Sequence, residues 1–104
     1  MNTSVVAIGV RVDDDHPLEL DAFALACGTQ ADFIRLLVDE GLVQPLARHP
    51  AWRFGGEELA RVRRIRRLQR DFEANLQSVA VMLDLLDEVE RLRAALHRAG
   101  ISPA

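Results

Sequence analysis

A chain of 104 residues is long enough for one domain with a modest core and too short for two independent ones. Apolar residues make up 49% of it but charges interrupt them throughout. No run approaches the roughly 20 apolar residues of a membrane span, and the N-terminus lacks the basic stretch and apolar run of a secretion signal, so a cytoplasmic protein is expected. The formal net charge is −3, all 13 basic residues are arginine, and Cys27 is the sole cysteine; this argues against a non-specific nucleic-acid binder and excludes an internal disulfide.

From the N-terminus, Val5 to Val12 alternates with Val6, Ile8, Val10 and Val12 to one side, predicting a half-buried strand. Asp13-Asp14-Asp15, read as a solvated turn, and Pro17 close it. A first helix is expected from about Asp21 to Cys27, stopping at Gly28. Cys27 falls on its apolar side with Leu20, Phe23 and Ala24 and is read as a core residue rather than a reactive thiol. Thr29 is placed to cap a second helix, with Asp32 in the first turn where a carboxylate suits the helix dipole. Phe33, Ile34, Leu37 and Val38 form its buried stripe, and Gly41 ends it. The short turn between the two helices has helix-turn-helix spacing. Leu42-Val43 then reads as a strand, Trp52-Arg53-Phe54 as the returning strand of a wing, and Gly55-Gly56 as the turn into a third helix.

That third helix opens on Glu57 and Glu58 and repeats apolar residues at Leu59, Val62, Ile65, Leu68 and Phe72, a helical period. Arg61, Arg63, Arg64, Arg66, Arg67 and Arg70 crowd its other faces. They read either as a phosphate-gripping patch or as a solvated face partly neutralised by carboxylates such as Asp71, four residues from Arg67. Asn75 is expected to cap a long fourth helix reaching His97 or Arg98, ended by Gly100 and Pro103. It carries two apolar stripes, one of Leu76, Val79, Leu83 and Leu86 and one of Met82, Leu85, Val89, Leu92 and Leu96. The first is placed to pack on the domain and the second suits a partner helix in a homodimer, with a core role for both as the alternative. Asp84, Asp87, Glu88 and Arg91 share one side of the same helix; they read as a solvated face, a partner contact or part of a dimer seam.

Taken together, "CGTQADFIRLLVDEGLV", "WRF" and "EELARVRRIRRL" resemble the MerR-type winged helix over residues 18–72. The resemblance implies a mainly α fold with a small β-wing, residues 1–17 forming an N-terminal strand and turn and 75–98 a long C-terminal helix within one domain. Gly28 falls on the turn glycine, Arg35 on the arginine of the second helix, and Trp52-Arg53-Phe54 on the wing motif. The departures concern DNA. Asp32 stands where a basic residue is usual, Leu36-Leu37 replace an aromatic pair, and Asp39 and Glu40 add negative charge, whereas a recognition helix must bring donors to phosphates and base edges. Over nearly its whole length, in "GLVQP", "RVRRIRRLQRDFEAN" and "VAVMLDLLDEVERLRAAL" taken in order, the chain is similar to the chaperone-modulator CbpM family.

What that second resemblance implies is a non-enzymatic modulator binding the J-domain of a CbpA-like co-chaperone of the DnaJ family. Such a modulator opposes engagement with DnaK and the co-chaperone's own DNA binding. J-domains present a basic helix to an acidic surface on DnaK, so a competitor needs fixed carboxylates beside apolar contacts; Asp84, Asp87, Glu88 and Arg91, flanked by Met82, Leu85 and Val89, offer both. Leu85, Val89, Leu92 and Leu96 are the expected dimer interface. The alternative is a MerR-type transcription regulator in which Arg35, Arg48, Arg53 and the third-helix arginines reach phosphates, although weak or no nucleic-acid binding is expected. His16, His49 and His97 have no ligand spacing to one another or to Cys27, and no Gly-rich phosphate loop occurs. Neither catalysis nor a metal or cofactor is expected.

Overall fold

The computed structural model describes residues 5–7, 10–12 and 15–101. In chain order the elements are β1 (Val5–Ala7), β2 (Val10–Val12), α1 (Leu20–Cys27), α2 (Ala31–Asp39), α3 (Gly56–Phe72) and α4 (Leu76–Arg98). The chain divides into two compact units within α3, one ending at Arg67 and the other beginning at Leu68. The stretch expected to be one strand is two, β1 and β2 pairing antiparallel with Val5 opposite Val12 and Ala7 opposite Val10. Ile8 and Gly9, like Asp13 and Asp14, lie outside the described residues.

In the first unit α1 and α2 pack together, and both end in the same way. The Gly28 N–H donates to the Leu25 carbonyl and the Thr29 N–H to that of Ala24, each at 3.0 Å. The Gly41 N–H donates to Val38 at 3.0 Å and the Leu42 N–H to Leu37 at 2.9 Å. Both are Schellman closures, needing a residue with φ near +70°, and Gly28 (φ 71°) and Gly41 (φ 73°) provide it. The entry to α2 differs from expectation. The cap is Gln30 without a side-chain bond, and Thr29 is engaged instead in closing α1, where its N–H completes the turn.

The wing is narrower than the sequence suggests. The Arg53 N–H donates to Ala47 and the Leu46 N–H to Arg53, both at 2.8 Å, while Phe54 exchanges a pair of 2.9 Å bonds with Leu18. Leu42 and Val43 form no strand. They follow the α2 closure directly and their side chains are buried, so burial rather than pairing explains their apolar character. The core of this unit is built from Phe23, Ile34, Leu37, Val43, Phe54, Leu59, Val62 and Ile65, all essentially inaccessible. At its centre Phe54 stacks on Phe23, ring centroids 4.3 Å apart and planes within 9°, and Trp52 meets Phe54 edge-on at 6.3 Å.

α3 starts with the Glu58 carboxylate accepting the Gly55 N–H at 2.6 Å, one half of a capping box, the other half being beyond a glycine without a side chain. Its predicted apolar stripe is buried at Leu59, Val62 and Ile65, but Leu68 is half-buried and Phe72 is exposed. In the second unit α3 ends at Phe72, Glu73 follows with φ at 49°, and α4 is capped by Asn75, whose Oδ1 accepts the Ser78 N–H at 2.9 Å. The fourth-helix cap read from the sequence is therefore in place.

Candidate partner-binding surface

α4 has three faces. Val79 and Leu83 are buried, with Leu76 and Leu86 half-buried beside them; the first predicted stripe is thus the inward one. About a third of a turn round the helix from them, Leu85, Val89, Leu92 and Leu96 remain 62, 41, 48 and 38% exposed, and Met82 is half-buried. Val81, exposed as well, lies one turn before Leu85 and extends this strip by a further residue, where the sequence reading had begun the stripe at Met82. Five apolar side chains in a row on a 23-residue helix form a contiguous patch of the kind that marks an interaction surface.

The third face is acidic. Asp84, Asp87, Glu88 and Arg91 are all exposed, and at 3.6 residues per turn they lie together on the flank of the apolar strip. They are not equivalent. The Arg91 guanidinium holds Glu88 through two hydrogen bonds, Nε to Oε2 at 3.0 Å and Nη2 to Oε1. That bonding lowers the Glu88 carboxyl below its ordinary value and raises Arg91 above its own. Glu88 and Arg91 therefore largely cancel, and the negative potential of this face comes from Asp84 and Asp87. The sequence spacing grouped the four residues correctly but carried no sign of this division.

The arginines that a DNA reader would use are distributed differently. Arg35 donates to Asp32 at 2.9 Å within α2, and Arg53 pairs with Glu19 at 3.0 Å. Arg48 is exposed. Arg35 and Arg48 share an open cleft of about 680 Å³ with Glu19, Leu20, Asp21, Ala22, Pro50, Ala51 and Trp52, whereas Arg53 does not line it. A phosphate backbone approaching here meets as many carboxylates as guanidinium groups. The third-helix arginines also have uses that neither sequence reading foresaw. Arg66 donates to the Cys27 carbonyl at 2.8 Å and to that of Gly28 at 3.2 Å, and Arg61 donates to the Leu42 carbonyl. Each thus satisfies backbone acceptors where α1 and α2 end. Asp71 approaches Arg70 at 3.9 Å rather than Arg67.

Cys27 is buried, and burial pushes its thiol up to about 12, against the lowering pull of Arg63 and then Arg66. A thiol held there is protonated at neutral pH and cannot serve as a nucleophile. Native protein should accordingly resist alkylation by iodoacetamide at pH 8 and react stoichiometrically once unfolded in guanidinium, with mass spectrometry counting the adducts; rapid modification of the native chain would contradict the buried position. Among the described residues no three His, Cys, Asp or Glu side chains are grouped to hold a metal, and no helix is long and apolar enough to cross a membrane.

Comparison with known proteins agrees with this architecture. Residues 18–99 match the model of the MerR HTH family of regulatory proteins. A chaperone modulatory protein CbpM of Coxiella burnetii is 30% identical over 95 residues, 90% of this chain and 90% of that protein. A CbpM of Pseudomonas putida (strain W619) is 35% identical over 65 residues, 62% of this chain and 64% of its own, and one of Pseudomonas entomophila is 30% identical over 78 residues, 74% and 77%. The chain belongs to the MerR HTH family and, with these relatives, to the CbpM family of chaperone modulatory proteins.

Proposed function

We propose that this CbpM-family chain is a cytoplasmic, non-enzymatic modulator that binds the J-domain of a CbpA-like co-chaperone of the DnaJ family, inhibiting its work with DnaK and its DNA binding. We place the contact on the acidic face of α4 and self-association on the exposed apolar strip beside it. The observation that carries the reading is the likeness to chaperone modulatory proteins over 90% of the chain. The chemistry of α4 supports it: Asp84 and Asp87 stand exposed on a rigid helix next to apolar side chains, a complement to a basic helix. The winged scaffold supports it from the other side, since Arg35 and Arg53 are each engaged by a carboxylate and give little to a phosphate backbone.

The test is a calorimetric titration with the J-domain of the same organism's CbpA-like protein. Binding is expected, weakened by salt because exposed charges are screened over about 8 Å at physiological ionic strength, and retained in part through apolar contact. Single surface charges are worth about 0.2–1 kcal/mol, so the double reversal Asp84→Arg/Asp87→Arg, which adds repulsion to lost attraction, should weaken binding about tenfold or more. Glu88→Gln should have a smaller effect, because Arg91 already occupies that carboxylate. Unchanged affinity in the double reversal removes α4 as the contact. A chain that ignores J-domains and gives a salt-sensitive shift with duplex DNA is instead a DNA-binding regulator.

A further inference from the structure

The geometry points to a peptide-binding cleft in the first unit, taking a short extended segment of a partner protein in which an apolar side chain stands between one basic and one acidic residue. The cleft is the opening of about 680 Å³ bounded by the first turn of α1, by Arg35 of α2 and by the wing, all in the unit that ends at Arg67. Its volume lies within the roughly 300–1,000 Å³ of ligand sites. Leu20, Pro50 and Trp52 give it an apolar lining. Trp52 is half-buried, and its edge-on contact with the fully buried Phe54 at 6.3 Å ties it to the core. It therefore offers a fixed aromatic surface rather than a mobile side chain.

Charge decides what fits there. Of the ionisable side chains lining the cleft, Glu19 is matched by Arg53 at 3.0 Å and Arg35 by Asp32 at 2.9 Å. Asp21 and Arg48 are exposed and have no ion-pair partner among the described residues. One belongs to the helix and the other to the wing, and they do not pair with each other. The cleft thus presents one unmatched charge of each sign beside an apolar surface. A polyanion, whether nucleic acid or anionic membrane, finds a single free guanidinium flanked by carboxylates. A small free ligand lacks the enclosure that such ligands need, because the cleft is open. A peptide covers the open side with its own backbone and carries both charges, and docking of extended segments through side-chain pockets is a recurring mode of recognition. The acidic side chain of the segment meets Arg48, its basic side chain meets Asp21, and the apolar side chain between them lies on Trp52. This contact is separate from the acidic face of α4 and does not rest on it.

Trp52 is the only tryptophan of the chain, so intrinsic fluorescence reports occupancy of the cleft directly. The experiment pans phage-displayed random dodecapeptides against the full chain and then titrates recovered tryptophan-free sequences, as synthetic peptides, while Trp52 emission is followed. Recovered peptides are expected to share one basic and one acidic residue around an aliphatic or aromatic one. Asp21→Arg and Arg48→Asp should each weaken a recovered peptide about tenfold, because repulsion replaces attraction. The double variant Asp21→Arg/Arg48→Asp should bind the same peptide with its two charges exchanged, to within about threefold of the original pair. Against the unaltered chain the charge-exchanged peptide should lose at least about tenfold, a loss that no folding defect can produce. Selection without a shared charge pattern, peptides whose affinity ignores both reversals, or saturable quenching of Trp52 by random duplex DNA at physiological salt in place of peptide overturns the proposal.

Discussion

Replacing Phe54 by alanine should destabilise the first unit by about 3–5 kcal/mol, the range for removing a fully buried phenylalanine from a core that cannot collapse around the gap. Phe54 has no accessible surface, stacks on Phe23 at 4.3 Å and supports the edge of Trp52, so the variant loses an aromatic pair, worth about 0.5–1.5 kcal/mol beyond burial, as part of that total. Domains of this size have about 5–15 kcal/mol in all, and each kcal/mol moves the melting temperature by about 4–8 °C. Thermal unfolding followed by circular dichroism should therefore fall by more than about 12 °C. Phe54→Leu, which keeps most of the volume, should lose a smaller part, and the backbone pairing of residue 54 with Leu18 should survive in it. A loss below about 1 kcal/mol for the alanine variant would mean that the stacked pair is not the centre of the core.

Much of this fold was readable because its signals are local. Gly28 and Gly41 end helices through backbone conformations that glycine adopts without strain, and Asn75 caps α4 through its own side chain; all three are fixed within a few residues of sequence. Periodicity likewise assigned the burial of Leu59, Val62 and Ile65 and of Val79 and Leu83. What periodicity could not assign is contact made at a distance. Phe54 pairs with Leu18 across 36 positions of chain, and Leu42-Val43, with the same apolar look as a strand, is not paired as one and is simply buried. Phe72 continues the α3 period yet is exposed, since a period marks a face but not where the core beneath it stops. For the candidate site the limit was charge pairing. Four ionisable residues on one helix side are evident from spacing, but the engagement of Glu88 by Arg91, and of Arg66 with the carbonyls at the end of α1, depends on rotamers and on a fold that brings residues 39 apart together.

The exchange Leu92→Glu with Leu96→Glu should convert the proposed dimer to a monomer at every accessible concentration. In the single chain these leucines are 48 and 38% exposed, so pairing would remove roughly half of each side chain from water. At about 1.5–3 kcal/mol for a fully buried leucine, that is about 1 kcal/mol per residue, or roughly 4 kcal/mol over the two leucines in each of two subunits. The glutamates add the cost of placing like charges in an apolar seam. A total above about 4 kcal/mol corresponds to a thousandfold or greater rise in the dissociation constant, enough to take a micromolar dimer beyond the millimolar range in sedimentation or small-angle scattering. Helical content by circular dichroism should hardly change, because Val79 and Leu83 on the inward face and the Asn75 cap are untouched. J-domain binding should persist per chain, because Asp84 and Asp87 lie outside the seam. Should binding vanish along with the dimer while helicity is kept, the co-chaperone contact requires two copies, and the acidic face of one α4 is insufficient by itself.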